Sequence, residues 1–300
     1  MLVTTALKRL KKYLFSCVFL SCLLCYSFAQ NDEPVLNIDE RIVIESVILN
    51  EQRTIWISLP SGYHAGTDNK RYPVLYLLDG QDHFQLAKLI LNCLKEKTNE
   101  PCAFSEMILV AIWSKNRFRD FTPSPSQIGL DGKTKEHLKI SGGGDNFLKF
   151  MSSELIPCID SAYRTSKSRF FAGHSLGGLL VMYALQTCPA LFDAYIAIDP
   201  SLWWDDHLLV RQAEVYYSLA RLEGKYLFLA QANTRSSKKA ANDHYKSIRR
   251  MKHLFDKKTR SGLDWTYQFY EHDNHNSVVS VAVNDALRLI LKKNFSDKSK

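Results

Sequence analysis

Residues 169–187 read Arg-Phe-Phe-Ala-Gly-His-Ser-Leu-Gly-Gly-Leu-Leu-Val-Met-Tyr-Ala-Leu-Gln-Thr. The apolar run 169–172 predicts a buried strand, and the apolar spacing of 177–187 predicts a helix. Only a Gly-x-Ser-x-Gly turn, Gly173 to Gly177, separates them. So sharp a turn needs a strained backbone at Ser175 and no side chain at the flanking glycines. The stretch therefore predicts a strand, a tight turn and a helix, with the Ser175 hydroxyl exposed at the turn.

Outward from this unit, seven further runs of apolar and β-branched residues predict strands, and segments with helical spacing separate the later ones. The first two runs alternate apolar and polar residues, as in an antiparallel hairpin that turns at 50–52, whereas the later ones are continuously apolar. The further strands are 41–49, 53–59, 74–78, 107–113, 194–198, 226–230 and 265–270, and the helices are about 84–94, 145–163, 177–187, 208–222, 239–255 and 277–291. This pattern predicts an α/β fold with a mostly parallel central sheet of about eight strands, an antiparallel N-terminal hairpin and helices on both faces.

The first 29 residues differ in kind from the rest. Four basic residues at 8–12 precede an apolar run at 13–28 that ends in small residues. This arrangement predicts a secretory signal cut between Ala29 and Gln30, followed by one domain over 30–300 in a secreted or periplasmic protein. The run is shorter than the ~20 residues of a membrane span, so none is expected after cleavage. Lipoprotein anchoring through Cys22 is the alternative, although Phe19 fits that cleavage signal poorly.

Composition excludes some classes of protein. With 300 residues, 46% of them hydrophobic, the chain can bury a large core, which excludes a disordered protein. The net charge is +8, and residues 1–29 hold four basic and no acidic residues, so the remainder carries 8 − 4 = +4. The sequence contains no basic run with interleaved aromatic residues, so a nucleic-acid partner is not predicted. The oligomeric state stays open.

Four of the seven cysteines follow the predicted leader: Cys93, Cys102, Cys158 and Cys188. An exported protein could pair them in two disulfides, of which Cys93 with Cys102 is the nearest pair in sequence. Buried free thiols are the alternative. None lies in a Cys-x-x-Cys pair, so metal binding through cysteine is not expected.

The turn at Ser175 also carries chemistry. It would expose the hydroxyl as a nucleophile and aim the backbone N–H of Leu176 at the oxygen of a bound carbonyl. A serine that only caps a helix is the alternative. A serine nucleophile needs a base to take its proton, and both His272 and His275 lie between the last predicted strand and the last helix.

Six blocks of the sequence carry a resemblance to a known family: 72–80, 119–123, 154–157, the Ser175 turn, 200–204, and His275 with Ser277. In this order they resemble the Putative esterase family of α/β-hydrolases, which includes siderophore esterases, feruloyl and acetyl-xylan esterases, esterase D and mycolyl transferases. The similarity runs from about residue 44 to about residue 291. The resemblance implies the α/β-hydrolase fold, identifies His275 as the base, and adds the backbone N–H of Gln81 to Leu176 as an oxyanion donor.

A carboxylate is also expected to orient the catalytic base, and here the sequence departs from the usual pattern of the fold. The acid should follow the strand at 226–230, yet residues 231–235 contain no carboxylate. Asp243 resembles the position where some members of the family carry their acid, and we take it as the first candidate. An ordinary acid near a helix N-terminus is the alternative interpretation. Asp273 and Asp199 are the next candidates, and a Ser-His dyad without an acid is the last.

Three residues are candidates for substrate binding. Trp203 and Trp204 follow the predicted strand 194–198, at the edge where ligands bind in such sheets. One of the two is expected in the core and the other against the substrate. Arg119 lies in a long loop, 114–144, and either pairs locally with Asp120 or binds an anionic substrate.

The sequence thus predicts a secreted serine esterase that needs no metal or cofactor and forms an acyl-enzyme on Ser175. His272-x-x-His275 could be half a metal site, but no other pair has ligand spacing. The expected substrate is a small-molecule or carbohydrate-linked ester, namely a siderophore or an acyl-decorated carbohydrate. The alternatives are acyl transfer to a sugar or lipid hydroxyl and an inactive binding protein on the same scaffold.

Overall fold

The computed structural model describes residues 38–64, 70–97, 106–236, 238–257 and 262–293. The predicted leader, including Cys22, and Cys102 lie outside these ranges. Within them, Cys93, Cys158 and Cys188 are free thiols. None of the helices in those ranges combines the length and apolar character that a membrane span requires.

Eight strands of the described chain form one sheet in the order β1-β2-β4-β3-β5-β6-β7-β8. Strand β2 pairs antiparallel with β1 and β4, and the other neighbours pair in parallel. The strands are β1 Glu40–Ser46, β2 Glu51–Ser58, β3 Tyr72–Leu78, β4 Ile108–Ile112, β5 Thr165–His174, β6 Ala194–Ile198, β7 Tyr226–Ala232 and β8 Asp264–Tyr270. The predicted mostly parallel sheet with an N-terminal hairpin is confirmed.

Helices cover both faces of this sheet, as predicted. They are α1 Gly80–Lys97, α2 Arg117–Asp120, α3 Gly144–Phe150, α4 Ile156–Ala162, α5 Leu176–Thr187, α6 Trp204–Leu219, α7 Lys239–Asp256 and α8 Val278–Lys292, and a π-helical segment, Met151–Leu155, joins α3 to α4. Successive strand residues point to opposite faces. Leu75 and Leu77 of β3 accordingly pack with α1 and α8, whereas Tyr76 and Leu78 pack with α5, α6 and α7. Two apolar layers therefore hold the sheet between them.

The hairpin turns earlier than predicted, at residues 47–50, and β2 already begins at Glu51. Glu154 accounts for the difference. Its carboxylate accepts hydrogen bonds from the backbone N–H groups of Val47 and Ile48, both at 3.0 Å. Asn50 then closes the turn at φ 51°, a left-handed conformation that asparagine tolerates.

Three strands end in a left-handed residue. Asp79 follows β3 at φ 53°, Ser175 follows β5 at φ 59°, and Asp199 follows β6 at φ 40°. This conformation is strained for residues other than glycine and is concentrated at functional sites. Because β3, β5 and β6 run in parallel, their carboxyl ends lie at one edge of the sheet, where ligands bind in such folds.

Candidate active site

The turn at Ser175 has the geometry that its glycines predict. Ser175 lies at φ 59°, ψ −115°, and its backbone N–H donates to the carbonyl of Ile198 at 3.0 Å. A Cβ on Gly173 would lie 2.5 Å from the backbone of Gly177, and one on Gly178 would lie 3.1 Å from the carbonyl oxygen of Ile198. The close approach of strand and helix therefore requires glycine, and it holds the serine at the edge of the sheet.

Ser175, His275 and Asp199 form a continuous chain of hydrogen bonds. The Ser175 hydroxyl donates to His275 Nε2 at 3.0 Å, and His275 Nδ1–H donates to Asp199 Oδ2 at 2.6 Å. His275 lies between β8 and α8, and its side chain is 36% exposed, so the base is open to solvent. This order of hydroxyl, imidazole and carboxylate is that of a nucleophile, its base and an orienting acid.

Asp199 is fully buried and accepts hydrogen bonds on both oxygens. The backbone N–H of Ala232 donates to Oδ1 at 2.9 Å, and His244 Nε2–H donates to Oδ2 at 2.9 Å. Burial by itself would raise the pKa of Asp199, but the hydrogen bonds from His244 and His275 outweigh it and hold this pKa below its ordinary value. Asp199 is therefore a carboxylate at neutral pH.

His174, next to Ser175 in sequence, contacts the loop that carries His275. Its Nε2–H donates to the carbonyl of His275 at 2.7 Å, and the two ring centroids are 4.5 Å apart. Burial, together with the neighbouring His275 and His83, lowers the pKa of His174 to about 3, so the ring stays neutral. His272, the other candidate base, is exposed at the surface, whereas His275 reaches the serine.

The structure does not bring Asp243, our first candidate for the acid, to His275. Asp243 is 39% exposed, and its Oδ2 lies 3.4 Å from His207 Nε2. Neighbouring residues on a helix point about 100° apart, and α7 turns His244 rather than Asp243 toward the site. Asp273 accepts from Ser277 at 2.8 Å. The carboxylate at His275 is that of Asp199.

A signal in the sequence points to Asp199. It directly follows the wholly apolar strand β6, as Ser175 directly follows β5. A charged residue directly after a buried parallel strand lies at the edge of the sheet, beside the neighbouring strand's last residue. From the sequence alone, however, the acid is expected after β7, and this expectation favours Asp243 over Asp199.

The two candidate oxyanion donors lie at helix N-termini. Leu176 is the first residue of α5 and Gln81 the second residue of α1, so neither backbone N–H has an acceptor within its own helix. Both helices begin at the carboxyl edge of the sheet, and a Cβ on Gly177 would lie 3.5 Å from Asp79 Oδ2. The dipoles of both helices favour negative charge at this edge.

Asp79 has a contact that the sequence did not predict. Arg117 donates to both of its carboxylate oxygens, through Nε at 2.7 Å and a terminal nitrogen at 3.0 Å, and the Ser114 hydroxyl donates to it as well. Asp79 is buried and ends β3, one residue before α1. The fork-shaped ion pair therefore ties the start of the long loop to the strand end beside Gln81.

The two tryptophans have different environments. Trp204 is 1% exposed, and its indole N–H donates to the carbonyl of Ser124 at 3.1 Å. It is a core residue, so the structure does not support it as a substrate contact. Trp203 is partly buried and lines a cavity of about 290 Å³.

This cavity lies between the long loop and α7. Asp205, Asp206 and His207 form a left-handed kink near the start of α6, with φ of 48°, 50° and 61°, and make one wall together with Trp203. Residues 126 and 128–132 form another wall, and Ala240 and Asp243 a third. Ser201, two residues before Trp203, has its Oγ 3.3 Å from that of Ser175. Ser201 and Ser175 do not line the cavity themselves, so the link between the cavity and Ser175 runs along the chain from Ser201 to Trp203.

Arg119 is paired locally. Its guanidinium donates to Glu51 and, through Nε at 2.7 Å, to Asp120. Buried Arg53 contacts the same two carboxylates. This network accounts for Arg119 without a substrate, so the structure favours the local ion pair over substrate binding.

One trio within the described ranges places carboxylate and imidazole donors close enough to share a metal ion. Single ligand atoms of Asp199, His244 and His275 lie within 4.8 Å of one another. Both imidazole N–H groups already point at Asp199 Oδ2. These two hydrogen bonds to Asp199 therefore explain why the three side chains lie close together.

Comparison with known proteins identifies relatives over most of the chain. The family model described as Putative esterase matches residues 46–270. Ferri-bacillibactin esterase BesA of Bacillus subtilis is 30% identical over 260 residues, which cover 81% of this chain and 86% of that protein. The solved IroE-like serine hydrolase of Shewanella oneidensis superposes with a TM-score of 0.78 at 32% identity and covers 84% of this chain and 80% of that one. The siderophore hydrolase EstA of Aspergillus nidulans, at 22% identity and a TM-score of 0.69, covers 86% of this chain and 96% of that one and shares the fold.

Proposed function

Since this chain belongs to the Putative esterase family, we propose that it hydrolyses a carboxylic ester of a siderophore through an acyl-enzyme on Ser175. Its relatives are esterases and serine hydrolases, and the chain is a carboxylic ester hydrolase. The observation that carries the proposed mechanism is the chain of hydrogen bonds from Ser175 through His275 to Asp199.

In this mechanism, His275 Nε2 takes the hydroxyl proton as Ser175 Oγ attacks the ester carbonyl. The backbone N–H groups of Leu176 and Gln81 stabilise the oxyanion, and Asp199 stabilises the imidazolium. His275 then protonates the leaving alcohol. A water molecule, deprotonated by His275, releases the acid and restores the serine.

The substrate class rests on the relatives. BesA is named for ferri-bacillibactin, and a 30% identical protein of Emericella nidulans, matched over 162 residues, is named a siderophore enterobactin esterase. The cavity beside Trp203, about 290 Å³, is near the lower limit of ligand pockets. It would hold one arm of such a molecule against the indole ring rather than the whole molecule.

A panel of esters tests this function. We expect kcat/KM for a siderophore with an ester backbone, measured by chromatography of the acid released, to exceed that for methyl ferulate and acetylated xylan by about 100-fold, because a site that matches polar substrate groups discriminates strongly. A preference for methyl ferulate or for acetylated xylan would contradict the proposed substrate. Adding a sugar or lipid alcohol should leave the free acid as the main product, whereas a new ester would show acyl transfer.

We also propose that the protein is exported, on the basis of the leader sequence. Expression in its native host should give a mature chain that begins at Gln30, as measured by mass spectrometry of its first peptide. A chain that begins at Cys22 with a lipid attached, or one that keeps residues 1–29, would contradict the proposed cleavage site.

A further inference from the structure

The acid of this site comes from an unexpected strand. Asp199 follows β6, whereas the sequence pattern of the fold predicts an acid after β7. The end of β7 instead contributes the backbone N–H of Ala232, which donates to Asp199 Oδ1 at 2.9 Å. A buried carboxylate needs donors on both oxygens, because an uncompensated one is very costly. The other oxygen, Oδ2, therefore needs a hydrogen-bond donor besides His275, one that stays in place while His275 transfers protons.

His244 supplies that second donor. It lies on the inner face of α7, its side chain is only 6% exposed, and its Nε2–H reaches the Asp199 oxygen that also accepts from His275. The rings of His244 and His275 are nearly perpendicular, at 88°, with centroids 5.2 Å apart. The Ser247 hydroxyl donates to the carbonyl of His244 at 2.7 Å. Two histidines from different elements thus donate to one carboxylate oxygen, with their ring planes nearly perpendicular.

From this geometry we propose that His244 is a positioning residue: it fixes the Asp199 carboxylate in line with His275 Nδ1. The inference rests on the proposed function, because it needs His275 as the base. When His275 accepts the serine proton, the imidazolium must find the carboxylate already ionised and aimed. Without the His244 donor, Oδ2 would be free to rotate away from Nδ1.

Two other roles for His244, filling the core and binding a metal ion, predict different results from the positioning role. A histidine that only fills the core would be replaced equally well by phenylalanine. A metal ligand would make turnover sensitive to chelation, and EDTA followed by Zn²⁺ would remove and then restore it. The positioning role predicts neither result, because it requires a hydrogen-bond donor at this position and nothing else.

The test compares His244→Gln, whose amide can donate to Asp199, with His244→Phe, which cannot. We expect His244→Phe to lower kcat on a chromogenic ester by roughly 10- to 100-fold with KM unchanged, because small misplacements of catalytic groups have effects of this size. His244→Gln should stay within about threefold of the wild type. His253→Gln, an exposed change on the same helix, is the matched control and should match the wild type.

The rate at which a fluorophosphonate probe labels Ser175 separates the two proposals. A wild-type protein that is not labelled would overturn the proposed function and this inference together. A labelled wild type with a normal His244→Phe variant, or an equal loss in the Phe and Gln variants, would overturn the positioning role alone. If His244→Phe does not fold, His244→Ala replaces it: free imidazole should restore its labelling rate, and an absence of rescue would contradict the inference.

Discussion

Two carboxylates at the same edge of the sheet, Asp199 and Asp243, differ in almost every physical respect. Asp199 is fully buried, ends a central strand in a left-handed conformation, and accepts three hydrogen bonds. Asp243 is 39% exposed, lies in the first turns of a helix, and faces His207 at 3.4 Å across the wall of a cavity. Strand ends and backbone donors build the first region, and loops and a helix end build the second.

The difference indicates that the region around Asp199 and the region around Asp243 are suited to different tasks. Groups that must keep their geometry through a reaction are best held by strand ends and buried hydrogen bonds. A surface that recognises one substrate among many is more easily built from loops, which vary without disturbing the sheet. Changes around Asp199 should therefore lower kcat, and changes around Asp243 should act on KM or leave the kinetics unchanged.

The largest effect is expected at the proposed nucleophile and the proposed base. Ser175→Ala and His275→Ala should each lower kcat by about 10⁶-fold, because each removes a group that makes or moves the bonds. Titration with a fluorophosphonate should show no labelling in Ser175→Ala. Circular dichroism should show an unchanged fold, since neither side chain is part of the core.

His272→Ala is the matched control for His275→Ala, because it makes the same change three residues away in the sequence. It should retain normal turnover, since His272 is exposed at the surface. A loss in His272→Ala together with normal turnover in His275→Ala would show that the base has been assigned to the wrong histidine.

The next effect tests the two carboxylates directly. Asp199→Asn should lower kcat by up to about 10⁴-fold, because the amide cannot stabilise the imidazolium. Asp243→Asn should change kcat by less than about twofold and cost only a few tenths of a kcal/mol in stability. Steady-state kinetics and thermal unfolding of both variants measure these effects, and a larger loss in Asp243→Asn would reverse the assignment.

The pair also shows how far the sequence predicts this molecule. Periodicity and the glycine turn predicted the sheet, its hairpin, most helices and the place of Ser175, because these depend on local pattern. The partner of His275 depends on which of several strand ends meets the base, and only tertiary packing settles that. Trp204 illustrates the same limit, since its bond to Ser124 joins residues 80 apart along the chain.

Acid should destabilise the buried side of the site. His174 has its pKa lowered to about 3 by burial, against 6.5 as its ordinary value. Between these values the unfolded chain binds the proton and the folded chain does not, so the free energy of unfolding falls as the pH is lowered. The slope from this residue is about 1.4 kcal/mol per pH unit.

Urea unfolding from pH 6 to pH 4.5 checks this slope. His174→Gln should reduce the slope of the free energy of unfolding against pH by the equivalent of about one proton. The same change at His253, which is exposed, should alter this slope much less. An identical slope in wild type and His174→Gln would show that His174 is protonated in the folded chain.

The smallest effect is expected at the cavity. Trp203→Ala should raise KM for the siderophore ester by about tenfold and leave kcat near the wild-type value, because one stacking contact contributes about 0.5–1.5 kcal/mol beyond its buried area. Trp204→Ala is the contrasting change and should destabilise the fold by about 3–5 kcal/mol. A drop in kcat with unchanged KM for Trp203→Ala would place the indole at the reacting atoms instead.

The most direct test of the catalytic account is to observe the acyl-enzyme. Rapid quenching during turnover of an ester, followed by mass spectrometry of the digested protein, should find the acyl group on the peptide that contains Ser175. The adduct should form and decay at least as fast as kcat. Steady turnover with no adduct at Ser175, or with the acyl group on another residue, would contradict the mechanism.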